Sequence, residues 1–305
     1  MRKTFVRTLA DLAEKDERIL LLTGDLGYTV IEPFAERFPR RFFNVGVAEQ
    51  NMIGLATGLA ESGFIPFVYS IATFVTMRAY EFIRNGPLAH GLPVRIIGVG
   101  GGFEYGHAGF THFGVDDIGV LRMQPNLTVV APADHEQAAS TLRATWQDRG
   151  PIYYRLGRDD ANTVPGLNGR FDRGRGQRIK EGRAILVLAM GAIARQAEEA
   201  VRQLETLGID AGLVIIDTVN PPPVEHLQQA LAEVPVAMTV EAHYVVGGLG
   251  SLVSEIVAER GIPCRLVRCG VSTMPLGRVG SEAYMTGQHG VSTQAMVDSA
   301  VRALS

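Results

Sequence analysis

Cysteine, tryptophan and long apolar runs are all scarce in this chain, and each scarcity removes a class of protein. Of 305 residues only two are cysteines, Cys264 and Cys269, too few and too close to read as a disulfide framework or a metal cage. Two buried thiols in a reducing compartment fit that usage. No segment approaches the roughly 20 apolar residues that cross a bilayer. The opening MRKTFVRTLADLAEKDERI interrupts its apolar positions with charge, so it lacks the apolar stretch of a signal peptide. The expectation is a soluble, cytoplasmic protein. Dense basic runs are missing too, and a formal charge of -3 leaves no footprint for nucleic acid or an anionic membrane.

Nucleotide-binding signatures are also missing. The run Gly98-Val99-Gly100-Gly101-Gly102 follows an apolar stretch but lacks the third glycine of a dinucleotide fingerprint, and no Walker-type Gly-Lys-Ser/Thr occurs. Gly247-Gly248-Leu249-Gly250 opens a helical pattern and could present N–H groups to an anion, although close packing of a helix on a sheet explains the same glycines.

What is present is ordinary globular material, 46% hydrophobic and 20% charged, enough for one large core or two smaller ones, with two domains the starting expectation. Short apolar runs such as Ile19 to Leu22, Ile65 to Tyr69 and Val94 to Val99 alternate with helical periodicity, which predicts an α/β fold with mostly parallel sheets and helices on both faces. Residues 166–182, rich in glycine and charge and without periodicity, read as a linker between a domain at 1–165 and a smaller one at 183–305.

One glutamate stands out. Glu49 opens an otherwise small and apolar helical segment directly after a short buried strand, where a carboxylate is partly desolvated. Alone it could simply complement the helix dipole. Its neighbours add more: VGVAEQNMIGLATGLA, then FIPFVYSIATFVTMRAYEFIRN, then GFTHFGVDDIGVLRMQPNLTVVAPAD, and later VEAHYVVGGLGS. In order and spacing these segments resemble the pyrimidine-binding and carboxyl-terminal domains of transketolases and of deoxyxylulose phosphate synthases.

The resemblance implies thiamine diphosphate as cofactor, with Glu49 facing N1' of its aminopyrimidine, Phe74, Met77 and Tyr80 forming the ring's wall, and Asp25 nearby. Phe74, Met77 and Tyr80 also satisfy the pattern of plain core residues on one helical face. The resemblance places His112 at the reacting carbonyl and Arg155 on a substrate phosphate or carboxylate; a strand-end ion pair is the other reading of that arginine. Departures from the family pattern are Met77 in place of an aromatic, Phe110 in place of a proline, Ala108 in place of an aspartate and Gly100 in place of a substrate histidine. They imply a substrate that differs from a pentose phosphate near the reacting carbon.

No Gly-Asp-Gly motif occurs, so the resemblance implies that the ligands of Mg²⁺ and the diphosphate come from an amino-terminal partner subunit, in a heterotetramer. The reading is therefore the carboxyl-terminal subunit of a split enzyme that transfers a two-carbon ketol unit between sugar-like substrates. Two others stay open: the β-subunit of a 2-oxoacid dehydrogenase, whose usual Gly-Gln-His-Ser is here Gly109-Phe110-Thr111-His112, and a catalytically silent scaffold.

Overall fold

A computed structural model describes residues 1–305. The alternation read from the sequence folds into two sheets. The strands are β1 (Ile19–Thr23), β2 (Phe42–Asn44), β3 (Ile65–Ile71), β4 (Arg95–Val99), β5 (Thr128–Val130), β6 (Ile152–Leu156), β7 (Gln177–Lys180), β8 (Ile185–Met190), β9 (Ala211–Ile215), β10 (Thr218–Asn220), β11 (Val236–Tyr244) and β12 (Arg265–Val271). The first sheet runs β10-β5-β6-β4-β3-β1-β2 and the second β12-β11-β8-β9-β7. Pairing is parallel throughout except for β10 on β5 and β7 on β9. Strands β1, β4, β6 and β8 are buried along their whole length, as parallel strands covered by helices on both faces must be.

Helices flank both sheets. Helix Arg2–Ala13 buries Phe5, Val6 and Leu9, and helix His135–Thr145 starts where Asp134 accepts the Gln137 amide. Helix Ala194–Thr206 and the final helix Thr293–Leu304 cover one face of the second sheet. Helices Glu32–Arg37 and Glu282–Gln288 lie in segments too short and too mixed for periodicity to reveal.

Three features depart from the sequence reading. The segment 166–182 is not a free connector: it contains β7, and Leu167 near its start is buried in the second core. Strand β10 follows β9 directly yet joins the first sheet rather than the second. The stretch whose Phe74, Met77 and Tyr80 fit one helical face is not a continuous α-helix: a wide π-turn, Phe74–Arg78, precedes the short helix Tyr80–Ile83, and a second, Arg84–Leu88, follows it. A continuous core carries Leu20, Val68 and Ile96 from the first half together with Leu188, Leu227 and Leu252 from the second. Tyr244 N donates to Val115 O at 2.7 Å and Gly280 N to Gly106 O at 3.2 Å, which fastens the loops after β4 to the second half.

Candidate active site

In a parallel sheet the carboxyl ends of the strands share one edge, and loops leaving that edge converge. Asp25 follows β1, Glu49 follows β2, Phe74 follows β3, His112 follows β4 and Arg158 follows β6, so every strand in that part of the sheet delivers one polar or aromatic residue.

Glu49 is the first residue of helix Glu49–Glu61 and is 1% exposed. Its Oε1 accepts the hydroxyl of buried Ser70 at 2.9 Å and its Oε2 accepts Nη1 of Arg78 at 3.0 Å. Gly24 lies beside the carboxylate, where a Cβ would be in ordinary contact, 3.5 Å from Oε1. The wide turn Phe74–Arg78 sets Arg78 beside Phe74, with the guanidinium carbon 4.0 Å from the ring centroid. Phe74 in turn meets the His112 imidazole edge-to-face, 4.9 Å between centroids. Glu49, Arg78, Phe74 and His112 thus form one contact chain. Arg78 and Ser70 were missed in the sequence; Arg78, four residues after Phe74, was the visible signal.

His112 Nδ1 lies 3.0 Å from the Thr111 hydroxyl, and burial, helped by the Arg78 cation, pulls its pKa below the ordinary histidine value. The imidazole is neutral at neutral pH and can give or take a proton. Asp25 has a positive φ of 59° and is exposed; its Oδ1 accepts Asn44 Nδ2 at 2.9 Å and the Tyr28 hydroxyl at 3.1 Å. Those bonds, the Asn44 one foremost, hold its carboxyl below the usual range. Met77 and Tyr80 stand on the adjoining turns, half-buried. Tyr80 packs on the core and its hydroxyl is engaged by the Gln124 side chain.

Arg155 requires a correction. It is 5% exposed, and it binds buried Asp117 through Nε at 2.9 Å and Nη2 at 3.1 Å, while Nη2 also donates to the carbonyls of Gly114 and Ala242. Nε and Nη2 are engaged inside the chain and join β6 to β11, which holds the arginine in a buried structural ion pair. The strand-end ion-pair reading holds, although the pair is buried rather than at the surface. Arg158, three residues further on, is exposed and lies 4.3 Å from the Tyr105 ring centroid. It is the accessible cation of this strand end.

The description "Transketolase, pyrimidine binding domain" fits residues 1–163, and "Transketolase, C-terminal domain" fits residues 174–295. The chain belongs to the transketolase family. It is 35% identical, over 95% of its length and 92% of the other, to a putative transketolase C-terminal section of Methanocaldococcus jannaschii. A 6-deoxy-6-sulfo-D-fructose transketolase subunit of a Clostridium species is 33% identical over 98% of this chain and 93% of its own. A solved split-gene transketolase chain, described as an inactive beta4 tetramer, superposes with a TM-score of 0.88 at 33% identity, covering 99% of this chain and 97% of that one. This transketolase chain therefore corresponds to the C-terminal section of a split enzyme whose pyrimidine-binding domain is of the thiamine diphosphate-dependent type. No helix is long and apolar enough to cross a membrane.

Proposed function

We propose that this chain supplies the aminopyrimidine half of a thiamine diphosphate site, and that with an amino-terminal partner subunit it transfers a two-carbon ketol unit between sugar phosphates. The carrying observation is Glu49, a buried carboxylate linked through Arg78 to the face of Phe74, whose ring in turn meets the neutral His112 imidazole. Burying a carboxylate costs free energy even when it is paired, and this one is held only by a hydroxyl and by a partly exposed arginine, which supports a functional reading.

That donor set fits an aminopyrimidine. When bound, thiamine diphosphate supplies the electron sink that two-carbon transfer needs. Glu49 holds a proton against N1' of the ring, with Ser70 fixing the carboxylate through its other oxygen. Phe74 stacks on the pyrimidine face, with Met77 extending the apolar wall and Asp25 lying at the rim. Tyr80 supports that wall from the core side. His112 moves a proton at the substrate carbonyl oxygen, and its lowered pKa keeps it neutral for that task. Arg158 takes the anionic group assigned from the sequence to Arg155.

No group of three or more His, Cys, Asp or Glu side chains is gathered in this chain, which supports placing the Mg²⁺ ligands elsewhere. The ion and the diphosphate belong on the partner, within a heterotetramer of two subunits of each kind, in a cytoplasmic setting. The test is reconstitution with the amino-terminal subunit, cofactor and Mg²⁺, followed by assay of two-carbon transfer from ketose phosphates to aldehyde acceptors. Transfer only in the presence of both subunits is expected; turnover by this chain alone, or none from the pair, overturns the assignment.

A further inference from the structure

Gly100 has φ +82°, and a Cβ built there collides with Cδ2 and Cε2 of Tyr105. The two residues are one unit, because only glycine both adopts that backbone conformation freely and leaves the space the ring fills. The Tyr105 ring centroid lies 6.3 Å from that of His112, at an interplanar angle of 54°. On its face rests the Arg158 guanidinium, whose Nη1 donates to Glu104 O at 2.6 Å. The next residue, Gly106, is clamped against the second half of the chain through the Gly280 amide. The ring is therefore fixed in place between the imidazole and the accessible cation.

We propose that Tyr105 is a specificity-determining residue, its ring standing where a side chain at position 100 would stand and forming an apolar wall between His112 and Arg158. The proposal rests on the transfer reaction proposed above. A substrate hydroxyl pressed against this wall loses water and gains no partner, which disfavours it. A carbon without that hydroxyl meets an aromatic face and loses nothing. The class of substrate that fits is an anionic ketose, its phosphate or sulfonate toward Arg158, with a deoxygenated carbon toward Tyr105. The second role of the ring is to hold the guanidinium by a cation–π contact, so that the anion is met at a set distance from His112.

In the reconstituted complex, kcat/KM is measured for xylulose 5-phosphate and for a ketose phosphate lacking one hydroxyl near the carbonyl, using wild type, Tyr105→Phe, Tyr105→Ala and Tyr105→His. Cofactor affinity, read by calorimetry, checks that the pyrimidine half is intact. Tyr105→Phe should leave the ratio of the two substrates within about twofold, because the ring is what acts. Tyr105→Ala, which lets water in, and Tyr105→His, which keeps a ring but adds a hydrogen-bonding partner, should each shift the ratio toward xylulose 5-phosphate by about tenfold or more. The histidine variant carries the test if the alanine variant does not fold. An unchanged ratio in the folded variants overturns the role of Tyr105 and leaves the transfer reaction standing. Absence of transfer by wild type from any ketose phosphate, with cofactor bound, overturns both.

Discussion

Arg78 donates to Oε2 of Glu49 at 3.0 Å while its guanidinium lies 4.0 Å from the Phe74 ring centroid. A flat cation with N–H donors thereby makes the same two contacts, carboxylate and aromatic face, that an aminopyrimidine would make there. On the proposed function, cofactor and arginine would compete for Oε2. Arg78 is 41% exposed, so the pair is screened and worth up to about 1 kcal/mol. We predict that Arg78→Met tightens thiamine diphosphate binding by the assembled complex by about two- to fivefold. Calorimetric titration decides, and weaker binding would make Arg78 part of the cradle instead.

Glu49→Gln keeps a side chain of the same shape but cannot exchange a proton with N1'. The expected outcome is an intact fold with kcat reduced by about 10²- to 10⁴-fold. Hydrogen exchange at C2 of the cofactor in the complex reports the step directly, and an exchange rate equal to wild type would show the glutamate misassigned.

On the proposed division of the site this chain contacts the pyrimidine only, and no group of three or more His, Cys, Asp or Glu side chains is gathered in it. Isolated, it should bind thiamine diphosphate and Mg²⁺ weakly and turn over nothing. Submicromolar affinity in titration without a partner subunit would refute the divided site.

Arg155 and Arg158 should separate cleanly on substitution. Arg155→Met strands the buried Asp117 carboxylate, with an expected loss of about 3–5 kcal/mol of stability. Arg158→Ala should leave the melting temperature nearly unchanged and raise KM for phosphorylated substrates. Melting curves and steady-state kinetics on both variants test the pair, and the reverse pattern would restore the sequence assignment.

Glu104 Oε2 is buried without a hydrogen-bond partner, and burial, reinforced by the nearby Glu282, raises its pKa from the ordinary 4.5 to about 8. The folded state therefore favours the protonated form. Its stabilising contribution is complete below the unfolded pKa of 4.5 and disappears as pH rises through about 8. Thermal stability should fall between about pH 5 and pH 8 on this account, and Glu104→Gln should flatten that slope. An equal slope in the variant would assign the dependence to another group.

Much of the architecture was legible because buried parallel strands leave compact apolar runs: Ile19 to Leu22 and Val94 to Val99 are strands β1 and β4 almost residue for residue. Strand β7 was hidden because an edge strand of four residues, Gln-Arg-Ile-Lys, carries no apolar run at all. The π-turns after β3 were hidden because Phe74, Met77 and Tyr80 recur at intervals that suit a 3.6-residue period, and that spacing carries no sign of a wider turn. In the site, Arg78 links Glu49 to Phe74 and Phe74 meets His112, which spacing alone does not disclose. Arg155 and Arg158 sit on one strand end, and only the location of buried Asp117 tells them apart.

Strand β10, which lies beyond residue 215 yet pairs with β5, has a consequence for how this molecule can be cut. A fragment ending near residue 165 would leave β5 with a bare rim of unpaired N–H and C=O groups, open to any extended segment that drifts by. The second half alone would carry β10 as a tail with nothing to zip onto. The two lobes are stitched, so shuffling one of them between related enzymes requires carrying residues 218–220 with the first lobe, or supplying a substitute cover for that rim.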